Sequence, residues 1–306
     1  MDGFEQGKIK DYLKNLVNIM EIEPKRELIE ALVYFWDPKN NVFRLNGFEM
    51  TPTLEEFAEY TDLGHKSRTK RLLSPRDITA TKFLEQMWIS HIEIAHVAQG
   101  QVHLDFLYDK YGHERGFSKY GKKLINKQNQ HIWRGHGRKA FIVAFLGCMV
   151  FPREDRKINI RLSRIVTAMM KRNDSYILPM VLADTFRVLT RCWEGKGFFA
   201  GCNLLLQMWF MDHLFRRPYQ VDHRTCWGNH VRQYNARLKS ESEIRNFPES
   251  VNDWRKYLHS LTDDQITWNY PWFTAEYVVY KSSCHPFLIL MGLRGYQPYV
   301  TMRVLR

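Results

Sequence analysis

The stretch WDPKNNVFRLNGFEMTPTLEEFAEYTDLG, residues 36–64, carries the clearest local structural signals in the chain. Two short strand-forming runs, 42–45 and 48–50, flank Asn46-Gly47, a pair that tolerates positive φ and favours a two-residue hairpin turn. Thr53 and Glu56 follow with the spacing of a capping box, in which each side chain accepts a backbone N–H at the start of a helix. We therefore predict a β-hairpin and then a capped helix that ends at Gly64.

Composition limits the classes of protein to consider. The chain has 306 residues, of which 44% are hydrophobic and 14% aromatic, so it can build a substantial core. Its net charge of +12 favours an acidic partner such as nucleic acid, an anionic membrane surface or an acidic protein. Five scattered cysteines favour a reducing compartment over a disulfide framework. The N-terminus lacks the apolar segment of a signal peptide, and the longest apolar run, 140–151, is too short to cross a bilayer.

Helical periodicity dominates the rest of the chain. Apolar residues recur every three or four positions within 9–20, 158–170 and 202–214. The run 140–151 is apolar on all sides, which predicts a buried helix closed by Pro152. We predict a mainly α fold, a single compact multi-helix domain with a small N-terminal β-hairpin and minor C-terminal β structure that includes 277–280.

The predicted domain has three parts. Residues 1–64 form the N-terminal helices, hairpin and capped helix, 65–139 a basic insertion-like region, and 140–306 the helical core and C-terminal segment. Large apolar side chains in the periodic segments dominate burial, and Trp268 is also expected to be buried. The residues predicted to form the core are Trp36, Phe57, Leu146, Leu189, Leu205 and Trp209.

The segment 108–139 is the most basic part of the chain. It holds nine Lys or Arg residues, two acidic residues and five aromatic residues. Within it, HIWRGHGRK (131–139) is interpreted either as a phosphate-contacting loop or as a solvated basic loop before a buried helix. Nucleic-acid contacts, weakly dependent on sequence, are predicted for Lys119, Lys122, Lys123, Lys127, Arg134, Arg138 and Lys139.

Residues suited to catalysis or metal binding are scattered. The densest set of metal-ligand types, His213, His223, Cys226 and His230, lacks a paired C-x2-C, and we predict no metal site. A metal-dependent nuclease needs three converging carboxylates, and no sequence pattern brings three together. The aspartates considered are Asp105, Asp109, Asp174, Asp184, Asp212 and Asp222. Each cysteine lies in an apolar or aromatic stretch, which is typical of core positions. We predict no catalytic residue and no cofactor.

Four ordered segments resemble the plant mobile domain family, also labelled aminotransferase-like. They are 31–64, FLGCMVFPREDRKINIRLSRIV (145–166), LADTFRVLTRC (182–192) with GCNLLLQMWFMDHL (201–214), and DDQITWNYP (263–271) with GLRGYQPYVTMRVLR (292–306). Residues 91–139 depart from the family pattern, and Asn269-Tyr270-Pro271 rearranges its Trp-x-Pro-Tyr. The family pattern continues past the position of Arg306, so we expect a clipped chain. The label implies a pyridoxal phosphate lysine, but no Gly-rich phosphate cup precedes a helix.

The resemblance implies a transposon-related protein of the nucleus, with the cytoplasm as the alternative location. Host members of the family are associated with gene silencing at repetitive elements and with genome maintenance. We therefore expect a non-enzymatic binding or scaffold domain that contacts nucleic acid or protein and no membrane. One alternative is a cryptic or degenerate transposon-linked metal-dependent nuclease. Another is a protein-interaction module for an acidic partner, such as a phosphatase-type subunit.

Overall fold

The structure is a computed structural model that describes residues 3–63, 71–73, 75–112, 116, 127–171, 175–215, 230–268 and 287–300. The described part is mainly α-helical, as predicted. Its α-helices are α1 (Gly3–Leu13), α2 (Arg26–Tyr34), α3 (Leu54–Thr61), α4 (Ala80–Met87), α5 (Leu104–Tyr111), α6 (Lys127–Phe145), α7 (Arg161–Lys171), α8 (Leu178–Trp193), α9 (Asn203–Leu214), α10 (His230–Ser242) and α11 (Val251–Ser260). No helix in these ranges is long and apolar enough to span a membrane.

The strands are short and form four small sheets. They are β1 (Trp36–Asp37), β2 (Val42–Arg44), β3 (Glu49–Met50), β4 (Arg71–Leu72), β5 (Val97–Ala98), β6 (Gln101–His103), β7 (Lys157–Asn159), β8 (Ser175–Tyr176), β9 (Leu288–Gly292) and β10 (Gly295–Tyr299). Two sheets have the antiparallel orders β1-β2-β3 and β5-β6-β7, β9 pairs with β10 as a hairpin, and β4 pairs with β8 in parallel. The hairpin β9–β10 confirms minor C-terminal β structure, whereas 277–280 lies outside the described residues.

The chain divides into two compact units. The first unit comprises Met1–Leu13 and Arg68–Tyr176, and the second comprises Lys14–Ser67 and Ile177–Arg306. The predicted helical segment 9–20 is divided between the two units. Its helix is interrupted at Lys14, which has a φ of 49°, and a 3-10 helix follows α1. The described residues of 71–139 belong to the first unit, as do 140–171 and 175–176.

The predicted N-terminal hairpin is present. Its turn contains Gly47 at φ 82°, and the backbone N–H of Leu45 donates to the carbonyl of Phe48 at 3.0 Å. Strand β2 pairs with β3 across this turn, with Phe43 opposite Met50. The conformational freedom of glycine at positive φ is what the turn requires.

The predicted capping box is also present at the start of α3. The backbone N–H of Glu56 donates to the Thr53 hydroxyl at 3.0 Å, and the backbone N–H of Thr53 donates to the Glu56 carboxylate at 2.9 Å. The helix ends earlier than predicted, because Asp62 adopts the left-handed conformation at φ 56°. Gly64, the predicted end, lies outside the described residues.

Helix α6 corrects the prediction of a basic loop at 131–139. The helix spans Lys127–Phe145 and runs through Gly135 and Gly137 into a π-helical turn at Leu146–Val150. Glycine disfavours helix by about 1 kcal/mol per residue, but packing of the apolar residues on this helix outweighs that preference. The predicted buried helix at 140–151 is confirmed as far as Val150, with Ile142 and Val143 fully buried.

The six predicted core residues are all buried. Trp36, Phe57, Leu146, Leu189, Leu205 and Trp209 are each at most 2% exposed. Helix α9 is buried on every side from Leu204 to its end, as expected for a helix that is apolar all round. The expectation for Trp268 was wrong, since it is 46% exposed with its indole N–H donating to the carbonyl of Asp263.

Candidate functional site

Two of the predicted nucleic-acid-binding cations, Arg138 and Lys139, form interactions within the first unit. Lys119, Lys122 and Lys123 lie outside the described residues, as does the side chain of Lys127. Nη1 of Arg138 lies 2.8 and 2.7 Å from the two carboxylate oxygens of Glu5, and Lys139 is 7% exposed. Arg134 is exposed on the same helix. The interpretation of 131–139 as a phosphate-contacting loop therefore does not hold for Arg138 and Lys139.

Lys139 serves as a cap for another helix. Its ammonium donates to the carbonyl of Gln86 at 2.8 Å, and the hydroxyl of Tyr111 donates to the carbonyl of Met87. Both carbonyls belong to the last turn of α4, where backbone acceptors have no partner within the helix. Burial, together with repulsion from Lys171, lowers the pKa of Lys139 to about 8.

The weak metal candidates do not form a described site. His223 and Cys226 lie outside the described residues, and His230 meets the ring of Tyr60 edge-on at 5.9 Å. Nδ1 of His213 lies 2.8 Å from the carbonyl of Thr267. Within the ranges that the structure describes, no group of three or more His, Cys, Asp or Glu side chains could hold a metal ion.

His213 belongs instead to a buried polar network in the second unit that sequence reasoning missed. The Glu56 carboxylate accepts the indole N–H of Trp209 at 3.0 Å, and its other oxygen lies 3.1 Å from Nε2 of His213. Both ring nitrogens of His213 thus lie within hydrogen-bonding distance of oxygen atoms.

Asp212 extends this network toward α10. Its carboxylate lies 2.9 Å from Nη1 of Arg237 and accepts the hydroxyl of Tyr60 at 3.1 Å. Burial raises the pKa of Asp212 to about 6, although Arg237 opposes the shift. Glu56, Asp212 and His213 are each less than 10% exposed. An enclosed network of this kind fixes how α3, α9 and α10 pack.

The second unit also contains what we call the arginine cluster, which comprises Arg187 and Arg294 in contact with Asp184, and Arg191 on the same helix as Arg187. Asp184 is 1% exposed on α8. Arg294, in the turn between β9 and β10, places Nε 3.1 Å and Nη2 2.6 Å from the two oxygens of this carboxylate. Nε of Arg187 lies 3.3 Å from the same carboxylate, which therefore fixes two guanidiniums.

The arginine cluster carries more positive than negative charge. Arg191 lies one helical turn after Arg187 on α8 and donates from Nη2 to the carbonyl of Lys196 at 3.2 Å. Burial lowers the pKa of Arg187, and Arg294 and Arg191 add to this effect while Asp184 opposes it. Nη2 of Arg187 is buried and has no hydrogen-bond acceptor among the described residues. Two guanidiniums therefore share one carboxylate, and a third lies one helical turn further along α8.

Comparison with known proteins gives a family but no characterised relative. No curated protein and no solved structure matches the chain. The resemblance to plant mobile domains therefore stays a prediction. One family model, described as Domain of unknown function (DUF7745), matches residues 3–306. Because this match covers almost the whole sequence, the chain belongs to the DUF7745 family.

Proposed function

We propose that this protein is a non-enzymatic binding domain whose partner is nucleic acid. The arginine cluster is the observation that supports the proposal. Its guanidiniums are planar, permanently charged donors whose fork matches the oxygens of a phosphate. Arg191 is exposed near the end of α8, where a phosphate oxygen can reach its guanidinium.

Contacts within the protein also hold two arginine side chains of the cluster in place without a bound ligand. Asp184 fixes Arg187 and Arg294 through three contacts of 2.6–3.3 Å. Guanidiniums that are already ordered lose less conformational entropy when they bind an anion. The net charge of +12 adds long-range attraction for a polyanion.

The polar groups that most resemble catalytic residues are enclosed in the protein. Glu56, His213 and Asp212 all use their polar atoms on neighbouring protein groups. Asp184 is likewise held by arginines, and Asp174 and Asp222 lie outside the described residues. The nuclease alternative therefore draws no support from the described part of the chain.

Titration of a labelled DNA duplex by fluorescence anisotropy at several salt concentrations tests the proposal. Weakly sequence-dependent binding should give a Kd of roughly 10⁻⁴–10⁻⁶ M at physiological salt, with a log–log salt slope of about −0.9 per phosphate contact. Arg191→Gln should flatten this slope by up to about one contact. Arg26→Gln removes the same charge from an exposed position in the second unit and should leave the slope unchanged.

Two results would contradict the proposal. Absence of binding by the wild-type protein at about 50 mM salt would leave the module for an acidic protein partner as the better hypothesis. Cleavage of the duplex that depends on Mg²⁺ would instead favour the nuclease alternative. Nuclear localisation, silencing of repetitive elements and a phosphatase-type partner stay predictions from the resemblance.

A further inference from the structure

An exposed tyrosine and an arginine meet where α2 packs against α11 in the second unit. Tyr34, the last residue of α2, is 56% exposed. Cζ of Arg255, on α11, lies 5.0 Å from the centre of the Tyr34 ring, which is the geometry of a cation–π contact. The arginine covers one face of the ring, and the exposed fraction of Tyr34 leaves room for a ligand on the opposite face.

His259 lies beside this pair. It follows Arg255 by one helical turn on α11 and is exposed. Its ring centre lies 5.9 Å from that of Tyr34 and 4.9 Å from that of Phe35, edge-on in both pairs. Direct contacts therefore bring Tyr34, Arg255 and His259 together, although α2 and α11 lie far apart in the sequence.

Arg255 differs from other arginines of the protein because its charge has no described counter-ion. The largely buried side chains of Arg138, Arg237 and Arg294 each pair with a carboxylate, at 2.7, 2.9 and 2.6 Å respectively. Arg255 is half-buried and forms no ion pair with any residue that the structure describes. Its Nε is enclosed without a hydrogen-bond acceptor there, so the Nη groups are the donors that can meet a ligand. A bound anion would supply the missing charge.

We infer that Tyr34, Arg255 and His259 bind one unpaired nucleotide, with its phosphate on the Nη groups of Arg255 and on His259 and its base stacked on Tyr34. The inference rests on the proposed function and adds a second contact site, together with the class of nucleic acid that it takes. Guanidinium donors match phosphate oxygens, and an aromatic face accepts any base. A base within a duplex is already stacked on its neighbours. An acidic peptide would neutralise Arg255 but would leave the Tyr34 ring without a stacking partner.

Anisotropy titrations of the full chain with a labelled 15-nucleotide oligothymidylate and the matching duplex, at several low salt concentrations, test the inference. Tyr34→Ala should weaken single-strand binding about fivefold or more, because one stacked base is lost, and should leave duplex binding unchanged. Arg255→Gln should reduce the single-strand salt slope by about 0.7, the value for one phosphate contact. Lys256→Gln removes the same charge at the next position of α11, where the side chain is 79% exposed, and should change neither quantity.

Urea denaturation of the same variants separates binding from a structural role. Arg255→Gln removes a cation that has no described counter-ion, so the denaturation midpoint should stay nearly unchanged or rise. Tyr34→Phe keeps the ring and should keep most of the single-strand affinity that Tyr34→Ala loses. A lower midpoint for Arg255→Gln together with an unchanged salt slope would make Arg255 a structural residue and overturn the inference.

The outcomes also separate this inference from the proposed function. If the wild-type protein binds neither DNA form, both fail. If it binds DNA while Tyr34→Ala and Arg255→Gln bind the single strand as the wild-type protein does, only this inference fails. Binding of a labelled polyglutamate peptide that is tighter than single-strand binding, and that Arg255→Gln abolishes, would overturn the inference in favour of an acidic protein partner.

Discussion

The guanidinium of Arg294 forms two hydrogen bonds to the carboxylate of Asp184, from Nε at 3.1 Å and from Nη2 at 2.6 Å, across 110 positions of sequence. This pair attaches the hairpin β9–β10 to α8. The backbones approach closely at the same place, because a Cβ added at Gly292 would lie 3.3 Å from Cβ of Ala183. The segments LADTFR and GLRG, which are far apart in the sequence, therefore form one structural element.

Asp184→Asn should destabilise the second unit by about 3 kcal/mol, because it removes the only carboxylate that the structure shows between Arg187 and Arg294 and leaves two partly buried cations facing each other. The midpoint of urea denaturation measures this loss. Glu194→Gln removes an acidic group from an exposed ion pair with Lys196 and should leave the midpoint nearly unchanged. Equal midpoints for the wild-type protein and Asp184→Asn would show that the pair contributes nothing to stability.

Trp209→Ala should cost about 3–5 kcal/mol, because the indole is fully buried and its removal leaves a cavity. The substitution also removes the N–H that donates to Glu56. Trp209→Phe keeps most of the buried area and should cost less, so the difference between the two variants isolates the cavity. Trp193→Ala, at a position 53% exposed, is the matched control and should leave the denaturation midpoint nearly unchanged.

Local sequence signals predicted the elements whose interactions are local. The hairpin turn at Gly47 and the capping box of Thr53 and Glu56 involve residues at most three positions apart, so sequence spacing alone defines them. Sequence spacing did not predict the end of α3, because Asp62 adopts a left-handed conformation for which glycine is the usual residue.

Long-range contacts explain what sequence spacing failed to predict. Glu56 meets Trp209 and His213 across 153 and 157 positions, and no spacing rule connects them. Only one part of this network had a signal in the sequence: Trp209 and His213 lie one helical turn apart on the same helix. At 131–139 the local composition indicated a loop, but the helix forms because packing in the first unit outweighs the local preference of glycine.

Arg138→Gln should destabilise the first unit by about 3 kcal/mol, because the guanidinium pairs with Glu5 where both side chains are largely buried. Arg134→Gln, on the exposed side of the same helix, should change stability by less than about 0.5 kcal/mol. Urea denaturation of both variants makes the comparison. A loss of stability at Arg134 but not at Arg138 would contradict the placement of these two side chains.

Lys139 should make stability depend on pH in the alkaline range. Its pKa is about 8 in the folded protein, against an ordinary value of 10.5, because burial and Lys171 disfavour the charged form. Below pH 8 the ammonium is charged in both states, and the folded state bears the cost of burying it. Between these two pKa values the folded protein releases the proton while the unfolded chain keeps it. The contribution of Lys139 to the free energy of unfolding therefore rises with pH, by at most about 1.4 kcal/mol per pH unit.

Comparison with Lys139→Met isolates this effect from all other titrating groups. Urea denaturation of both proteins at pH 7 and pH 9.5 should show the wild-type protein gaining stability relative to the variant as pH rises. Lys171→Met should shrink the gain, because it removes the repulsion that helps to lower the pKa of Lys139. A constant difference between wild type and Lys139→Met across this range would mean that Lys139 keeps its ordinary pKa, and so that its ammonium is hydrated rather than buried against the last turn of α4.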